Sequence, residues 1–308
     1  MRTGFAVPKR HIYPGIAEFV ALSHKLPLRR YPDAPIALSC AAMTAVRHAP
    51  IAALRGRVRD YYGFTERTGA VTRRREGPGP EVVVIISFGN EWRIGGALEP
   101  EQPPARLGSF VGGVRDTSVI TEHDGWSAGM QINLAPAAAH MLFGLPMAEL
   151  AGQNLPLEMV LPEAAFLVER LHDAASWTDR FTILDGEIGA RLAEAPCPNP
   201  RVEWAWRELR RTRGRATVGA LCEELGWSRR RLVARFREEI GLPPKAVARL
   251  FRFEHALELA DGGAGWAEVA VAAGYYDQAH LINEFRSITG ITPRQYVTNL
   301  QDAAEIAA

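Results

Sequence analysis

The chain has 308 residues, with 36 Lys and Arg against 35 Asp and Glu and a formal net charge of +1. This length is enough for two domains with sizeable cores, and the charge balance excludes a uniformly basic or acidic chain. The three cysteines, at positions 40, 197 and 222, are far apart, which argues against a disulfide framework or a cysteine metal site. No apolar run approaches the roughly 20 residues of a membrane span, and no signal-peptide pattern is present. A cytoplasmic protein without a membrane partner is therefore expected.

Residues 1–42 contain five prolines and show no sustained periodicity. Two interpretations remain open for this segment. It is either an extension upstream of a natural start at Met43, or an N-terminal arm that is ordered against the rest of the protein.

A β-rich domain is predicted over residues 43–194. The apolar run 82–88 is bounded by glycine and proline, which is typical of a buried strand. Further strands are predicted at 109–114, 118–122 and 129–134. The composition then changes, and helices are predicted at 135–143, 162–174 and 176–193.

This domain shows no catalytic signature. The sequence has no GxSxG elbow, no HExxH motif and no Walker-type glycine loop, so we expect no catalytic residues, no metal site and no cofactor. Four aromatic side chains are candidates to line a small-molecule pocket, with packing as barrel core as the alternative: Phe88, Trp92, Phe110 and Trp126.

Residues 195–200 are predicted to form a linker, because three prolines lack the backbone N–H groups that regular hydrogen bonding requires. Beyond it the charge is unevenly distributed. Residues 201–260 hold 14 Arg and Lys against 8 Asp and Glu, whereas residues 261–297 hold 2 against 4. A concentrated basic surplus is a feature of nucleic-acid-binding domains.

Two helix-turn-helix units occupy residues 201–298, and residues 299–308 form a tail. Matching Leu, Phe, Gly and Pro residues of the two units are each 49 positions apart. Gly226 and Gly274 fit the sharp end of a first helix, and Ser228 and Asp277 fit the N-cap of a second. A duplicated unit of this kind is typical of proteins that read adjacent major grooves of duplex DNA.

The faces of the two second helices that lie opposite their main apolar faces carry the candidate DNA contacts. Arginine can bind guanine through two hydrogen bonds, and Gln and Asn can do so with adenine. Arginines at the edges of such a helix can also bind phosphates. The candidates are Arg229, Arg230, Arg231, Ala234 and Arg237 in the first unit, and Gln278, Ala279, His280, Asn283 and Arg286 in the second.

Residues ~203–297 resemble the C-terminal DNA-binding domain of AraC/XylS-type transcription regulators. The motifs that carry the resemblance begin at Ser228-Arg-Arg-Arg-Leu-Val-Ala-Arg-Phe and at Gly274-Tyr-Tyr-Asp-Gln-Ala-His-Leu. The resemblance implies seven helices, with a linker helix over 244–261. It also implies that Val233 and Ile282 face the groove, where some members have hydrogen-bonding residues.

The segments Gly129-Met-Gln-Ile-Asn-Leu-Ala-Pro and Leu145-Pro-Met-Ala-Glu-Leu resemble an N-terminal domain found in some of these regulators. That resemblance implies a β-rich half-barrel followed by helices, with no catalytic activity. The expected fold is therefore an α+β multi-domain chain: a half-barrel sensory domain, then an all-α seven-helix domain with two helix-turn-helix units.

The expected function is sequence-specific transcription regulation, modulated by a small-molecule effector or by dimerisation through the N-terminal domain. The partners expected are promoter DNA, an effector, RNA polymerase and a second copy of the chain. The alternative is a ligand-independent regulator whose N-terminal domain only dimerises.

Overall fold

The computed structural model describes residues 37–39, 43–99, 101 and 103–297. The predicted N-terminal extension lies outside the described residues except for 37–39, and the predicted tail 299–308 lies outside them entirely. Residues 37–39 form a short strand that pairs antiparallel with the strand starting at Met43.

The N-terminal domain contains two antiparallel sheets. The seven-stranded sheet has the order β1-β2-β3-β10-β5-β8-β11, and the four-stranded sheet has the order β4-β9-β6-β7. The strands are β1 Ala37–Ser39, β2 Met43–His48, β3 Val58–Arg67, β4 Thr72–Glu76, β5 Val82–Ser87, β6 Trp92–Gly96, β7 Ala105–Leu107, β8 Phe110–Gly112, β9 Val119–His123, β10 Trp126–Leu134 and β11 Asn154–Pro156. The predicted strands at 82–88, 109–114, 118–122 and 129–134 are confirmed as β5, β8, β9 and β10, with small differences at their ends.

Strand β5 explains why its sequence is uniformly apolar. All residues from Val82 to Ile86 are buried, because β5 lies between β10 and β8 in the sheet and is covered on both faces. Val83 and Ile85 face the second sheet and pack with Trp92, whereas Val84 and Ile86 belong to the core beneath the helices. A strand covered on both faces loses the alternation of apolar and polar residues.

The space between the two sheets also holds a buried ionic group. Glu66 on β3 accepts hydrogen bonds from both terminal nitrogens of Arg74 on β4. The His123 Nε2 atom lies 3.2 Å from the same carboxylate, and His123 is 1 % exposed. These contacts tie β3, β4 and β9 together.

Helices cover the outer face of the seven-stranded sheet. They are α1 Pro136–Phe143, α2 Met147–Leu150, α3 Leu157–Val160, α4 Ala164–Asp173 and α5 Trp177–Glu194, and a 3-10 turn spans Ala52–Leu54. The predicted helices at 135–143, 162–174 and 176–193 are confirmed as α1, α4 and α5. Helix α5 is capped by the Ser176 side chain, and its buried Asp185 accepts a 2.9 Å hydrogen bond from the Tyr61 hydroxyl on β3.

The C-terminal domain is all-helical. Its helices are α6 Pro200–Arg211, α7 Val218–Leu225, α8 Arg229–Glu239, α9 Pro244–Asp261, α10 Trp266–Ala273 and α11 Gln278–Thr289, and residues 293–297 are also helical. Within the described part of the domain, these six helices and the segment 293–297 account for the seven helices that are predicted. Helix α6 begins at Pro200, the last residue of the predicted linker, because proline is tolerated at the first position of a helix.

The C-terminal domain has two hydrophobic cores, one for each helix-turn-helix unit. The first is built around Trp206, Phe236 and Phe251, and the second around Phe253, Phe285 and Tyr296. Helix α9 contributes to both cores and joins them.

The two domains are in close contact although three prolines separate them in sequence. Leu250 of α9 is fully buried in the core of the N-terminal domain. Helices α1 and α2 of the N-terminal domain pack on α8, and the backbone nitrogen of Ser118 donates a 2.8 Å hydrogen bond to the Ile288 carbonyl near the end of α11. Both units are therefore anchored at the domain interface.

Among the described residues, none of the helices combines the length and the apolar character required to cross a membrane. The same residues include no cluster of three or more His, Cys, Asp or Glu side chains arranged to hold a metal ion.

Candidate nucleic-acid interface

The turn of each unit is built as its sequence predicts. Helix α7 ends at Gly226 and helix α10 at Gly274, with φ of 61° and 84° respectively. These left-handed backbone angles are strained for residues with a Cβ atom, so glycine allows each helix to stop abruptly. The following helix then leaves in a new direction.

The second helix of each unit begins at a side-chain cap. The Ser228 hydroxyl accepts a 3.3 Å hydrogen bond from the Arg231 backbone nitrogen. In the second unit the Asp277 carboxylate accepts one of 2.7 Å from the His280 backbone nitrogen. Each cap satisfies a backbone donor that the first turn of a helix leaves free, which fixes the start of α8 and of α11.

Apolar residues spaced by about one turn determine which face of each helix is buried. Leu232 and Phe236 of α8 are fully buried in the first core, and Leu281 and Phe285 of α11 are buried in the second. The opposite face of each helix is consequently directed away from its own core.

The predicted DNA contacts lie on these outer faces. Ten of the twelve are exposed, and Val233 and Ile282 are half-buried: the exposed residues are Arg229, Arg230, Arg231, Ala234, Arg237, Gln278, Ala279, His280, Asn283 and Arg286. Ile282 also packs against the second core. Packing against this core explains why Ile282 is half-buried. Contact of the twelve residues with DNA stays a prediction.

The arginines of α8 differ in how free they are. The Arg231 guanidinium stacks over the Trp227 ring at 4.8 Å, and Arg235 pairs with Glu238 at 2.7 Å. In contrast, three guanidinium groups make no ion pair or side-chain hydrogen bond with any residue that the structure describes: those of Arg229, Arg230 and Arg237. These three are available for an external anion.

The first turn of α8 is electrostatically unusual. It holds Arg229, Arg230 and Arg231 and contains no acidic residue. The N-terminal end of a helix carries a partial positive charge, which favours acidic side chains and disfavours cations. Three arginines at this position therefore repel the helix dipole in the free protein. An anionic ligand at this end of the helix, such as a DNA phosphate, relieves that repulsion.

Helix α11 has fewer charges and is more tightly bound to its neighbours. Its Glu284 lies 3.8 Å from Arg249 and 3.6 Å from Arg252, both on α9. The His280 ring accepts a 3.3 Å hydrogen bond from the Tyr276 backbone nitrogen. Gln278, Asn283 and Arg286 make no side-chain hydrogen bond with the described residues and so remain free for DNA.

A contact between the two units was not anticipated from the sequence. Arg215, in the connection between α6 and α7, donates a hydrogen bond to the Ala272 carbonyl near the end of α10. Arg252 of α9 also donates to the Gly214 carbonyl at 3.2 Å. The helical periodicity carries no signal for these contacts, because they join side chains to backbone atoms of distant segments.

The four aromatic residues predicted to line a ligand pocket lie in different parts of the N-terminal domain. Trp92 and Phe110 are buried in the core between the two sheets. Phe88 packs against the core under the helices, and the Trp126 ring is covered by the Arg67 guanidinium at 5.9 Å. None of the four lines the cavity next to Val58 and Trp206 or the cavity next to Ile86 and Leu184. The prediction that they form one ligand pocket gains no support from this arrangement.

The family comparison agrees with the geometry of the two units. Residues 221–299 match a family model described as a helix-turn-helix domain. The chain carries an AraC-type helix-turn-helix domain at its C-terminus. The match begins in α7 and extends beyond α11, so it includes both turns and both caps described above. No curated protein sequence matches the chain.

Several solved structures show a distant overall likeness to the chain. ToxT from Vibrio cholerae O395 is 12 % identical, with 77 % of this chain and 96 % of that chain covered and a TM-score of 0.45. Unsaturated fatty acid bound wild-type ToxT from Vibrio cholerae strain SCE256 is 8 % identical, with 83 % and 95 % covered and a TM-score of 0.42. The AraC-like transcriptional activator CuxR is 16 % identical, with 69 % and 86 % covered and a TM-score of 0.23. Likeness at this level identifies neither a ligand nor a target for this chain.

The AraC-type domain supports a DNA-binding transcription regulator, a class of protein that generally has no catalytic activity. The β-rich domain with two sheets followed by a helical domain agrees with the predicted fold class.

Proposed function

We propose that this protein is a sequence-specific transcription regulator that binds duplex DNA with α8 and α11 in two adjacent major grooves. The observation that carries the proposal is the first turn of α8. Three arginines are placed there against the helix dipole, and two of them, Arg229 and Arg230, have no described partner. This arrangement does not stabilise α8 itself, whereas it favours the binding of a polyanion such as DNA.

The two units are proposed to have different tasks. Helix α8 presents three unpaired guanidinium groups, so it contributes most of the phosphate contacts and of the salt-dependent affinity. Helix α11 presents Gln278 and Asn283 as free amides, which suit direct recognition of adenine. Affinity would then come chiefly from the first unit, and sequence discrimination from both.

The β-rich domain is proposed to modulate this binding in response to a small molecule, with pairing of two copies as an additional route. Its helices α1 and α2 pack on α8, and its Ser118 donates a hydrogen bond to the Ile288 carbonyl near the end of α11. These contacts support the proposal, since a change in this domain has a direct structural route to each helix. A ligand-independent regulator, in which the domain only dimerises, predicts DNA binding that no small molecule alters. RNA polymerase is the expected partner of the DNA complex.

The test is selection of binding sites from a random duplex library by the full-length protein, followed by titration of the selected site at several salt concentrations. The proposal expects one enriched motif and an affinity that falls by orders of magnitude between low and moderate salt. Replacement of Arg229, Arg230 and Arg237 by Gln should reduce the slope of log affinity against log salt by about 0.9 for each lost phosphate contact.

The matched control is the same number of Gln substitutions at Arg201, Arg207 and Arg211, which lie on α6 rather than on α8. This control protein has the same net charge as the α8 variant and should retain most of the affinity. Failure to enrich any motif, or an equal loss of affinity in both triple variants, would contradict the proposed interface.

A further inference from the structure

A cavity of about 280 Å³ lies at the junction between the two domains. Its wall is formed on one side by Arg55, Val58 and Arg59, which lie just before and at the start of β3, and on the other by Trp206 and Arg210 of α6. Ligand sites occur preferentially at such domain junctions, and this volume is near the lower end of the range for small-molecule pockets. The cavity therefore suits a compact molecule.

The charges in the wall are unequal. Three guanidinium groups, those of Arg55, Arg59 and Arg210, face one carboxylate, that of Glu81. The Arg59 guanidinium is already bonded to Glu81 at 2.9 Å. Arg55 and Arg210 make no ion pair or side-chain hydrogen bond with any described residue. Two unpaired cations therefore remain, one from each domain.

The nearby Glu254 of α9 neutralises them only in part. Its carboxylate lies 4.0 Å from the Arg59 guanidinium. Burial, together with the charge of Glu81, raises the pKa of Glu254, whereas the charges of Arg59 and Arg210 act in the opposite direction. Even with Glu81 and Glu254 both ionised, three guanidinium groups face two carboxylates, so the cavity keeps a net positive charge that favours an anionic ligand.

The rest of the wall is apolar. The wall residues without an ionisable side chain are Ala49, Pro50, Gly56, Val58, Ala135 and Trp206. Their carbon atoms favour contact with the organic body of a ligand over contact with water. The combination of apolar surface and two free guanidinium groups selects for a molecule with both parts.

We propose that this cavity binds a small organic anion whose carboxylate or phosphate group is held by Arg55 of the N-terminal domain and Arg210 of the C-terminal domain. Because the two guanidinium groups belong to different domains, the ligand adds a contact across the junction. The assignment rests on the proposed function only in regarding this ligand as the effector; binding itself is independent of DNA.

The test is thermal unfolding of the full-length protein with citrate as the carboxylate probe and 3-phosphoglycerate as the phosphate probe, at constant ionic strength set with sodium chloride. Xylitol serves as the uncharged probe. A ligand that binds only the folded state raises Tm with increasing concentration. We expect at least one anionic probe to raise Tm and xylitol to leave it unchanged. The relative effect of citrate and 3-phosphoglycerate shows which anionic group the cavity prefers.

Site-directed variants locate the binding. R55Q and R210Q should each require at least tenfold more of the effective probe for the same shift in Tm, with isothermal titration calorimetry as a second measurement. R207Q is the matched control, because Arg207 lies on the same helix, outside the cavity wall, and is exposed. An equal response in R55Q, R210Q and R207Q, or no response to either anion in the unmodified protein, would overturn the proposal.

DNA titration of the same proteins separates this inference from the proposed function. R55Q and R210Q are not on α8 or α11, so without a probe they should bind the selected DNA site like the unmodified protein. Anion binding without any sequence-specific DNA binding would contradict the proposed function and leave the cavity assignment intact. Sequence-specific DNA binding without any anion binding would contradict the cavity assignment and leave the proposed function intact.

Discussion

The Arg75 guanidinium of strand β4 donates a 2.7 Å hydrogen bond to the carbonyl oxygen of Thr289, the last residue of α11. The C-terminal end of a helix carries a partial negative charge and carbonyls without helical partners, and both favour a cation at that position. A residue of the β-rich domain thus supplies a hydrogen-bond donor and a positive charge at the C-terminal end of a proposed DNA-binding helix. Sequence separation between the two residues is 214, so the contact belongs to the domain interface and to no local motif.

Replacing Arg75 with Met should lower the free energy of unfolding by about 1.5–3 kcal/mol, the range for a hydrogen bond to a charged group. Urea denaturation of the full chain measures this free energy in R75M and in the unmodified protein. R73M is the control, because Arg73 lies on the same strand and is exposed. A loss of similar size in R73M would show that the Arg75 contact has no special importance.

Gly113→Ala should be strongly destabilising, by about 2 kcal/mol or more, because the added Cβ would overlap the carbonyl oxygen of Leu150 at the end of α2. Gly108→Ala is the matched control, since no atom lies within 4 Å of the Cβ position there. Thermal unfolding compares the two proteins. Helix α2 packs on α8, so G113A should also weaken DNA binding, and equal stability of G113A and G108A would contradict this account.

Arg230→Ala should cost about 1–3 kcal/mol of DNA-binding free energy if the side chain reads a base, and should relax preference at one position of the site. Asn283→Ala should relax preference at a position about one helical turn away, roughly 10 base pairs. Competition titrations with single-base variants of the selected site measure both effects. A uniform loss across all sequences would assign Arg230 to a phosphate, and hydroxyl-radical protection confined to one groove would contradict the use of both units.

Glu254 should make stability depend on pH. Burial and the charge of Glu81 raise its pKa from 4.5 to about 8 in the folded protein, so between these values the unfolded chain releases a proton that the folded chain retains. The free energy of unfolding contributed by Glu254 is therefore fully present below about pH 4.5 and declines as the pH rises to about 8.

The variant E254Q has no proton to lose at this position. Relative to the unmodified protein, it should gain stability between pH 5 and pH 8, by an amount on the order of a few kcal/mol. Urea denaturation of both proteins at pH 5, 6.5 and 8 provides the comparison. A stability difference that is the same at all three values would show that Glu254 ionises normally in the folded chain.

The parts of the fold that depend on neighbouring residues were predictable from the sequence. Gly226 ends α7 and Ser228 caps α8 because each acts within one turn of its own position. The linker helix predicted over 244–261 corresponds to α9, Pro244–Asp261, since a proline at its start and glycines at its end determine both boundaries locally.

The contacts that connect distant segments were not predictable in this way. Nothing in the sequence near Arg75 indicates a helix end 214 residues away, and nothing near Arg55 indicates that Arg210 forms the opposite wall of a cavity. The aromatic residues show the same limit. The sequence makes Trp92 a pocket candidate, but an aromatic residue type does not distinguish a side chain that faces a cavity from one that, as in the structure, lies in a filled core.

Leu250 shows how closely the two domains depend on each other. It lies on α9, in the AraC-type domain, yet it is fully buried in the hydrophobic core of the other domain. A chimera that joined this β-rich domain to the DNA-binding half of another regulator would need an apolar residue of similar shape at this position, or the recipient core would be left with a void. Under the proposed function, exchange of DNA-binding specificity is therefore simpler through the outer faces of α8 and α11 than through replacement of the whole domain.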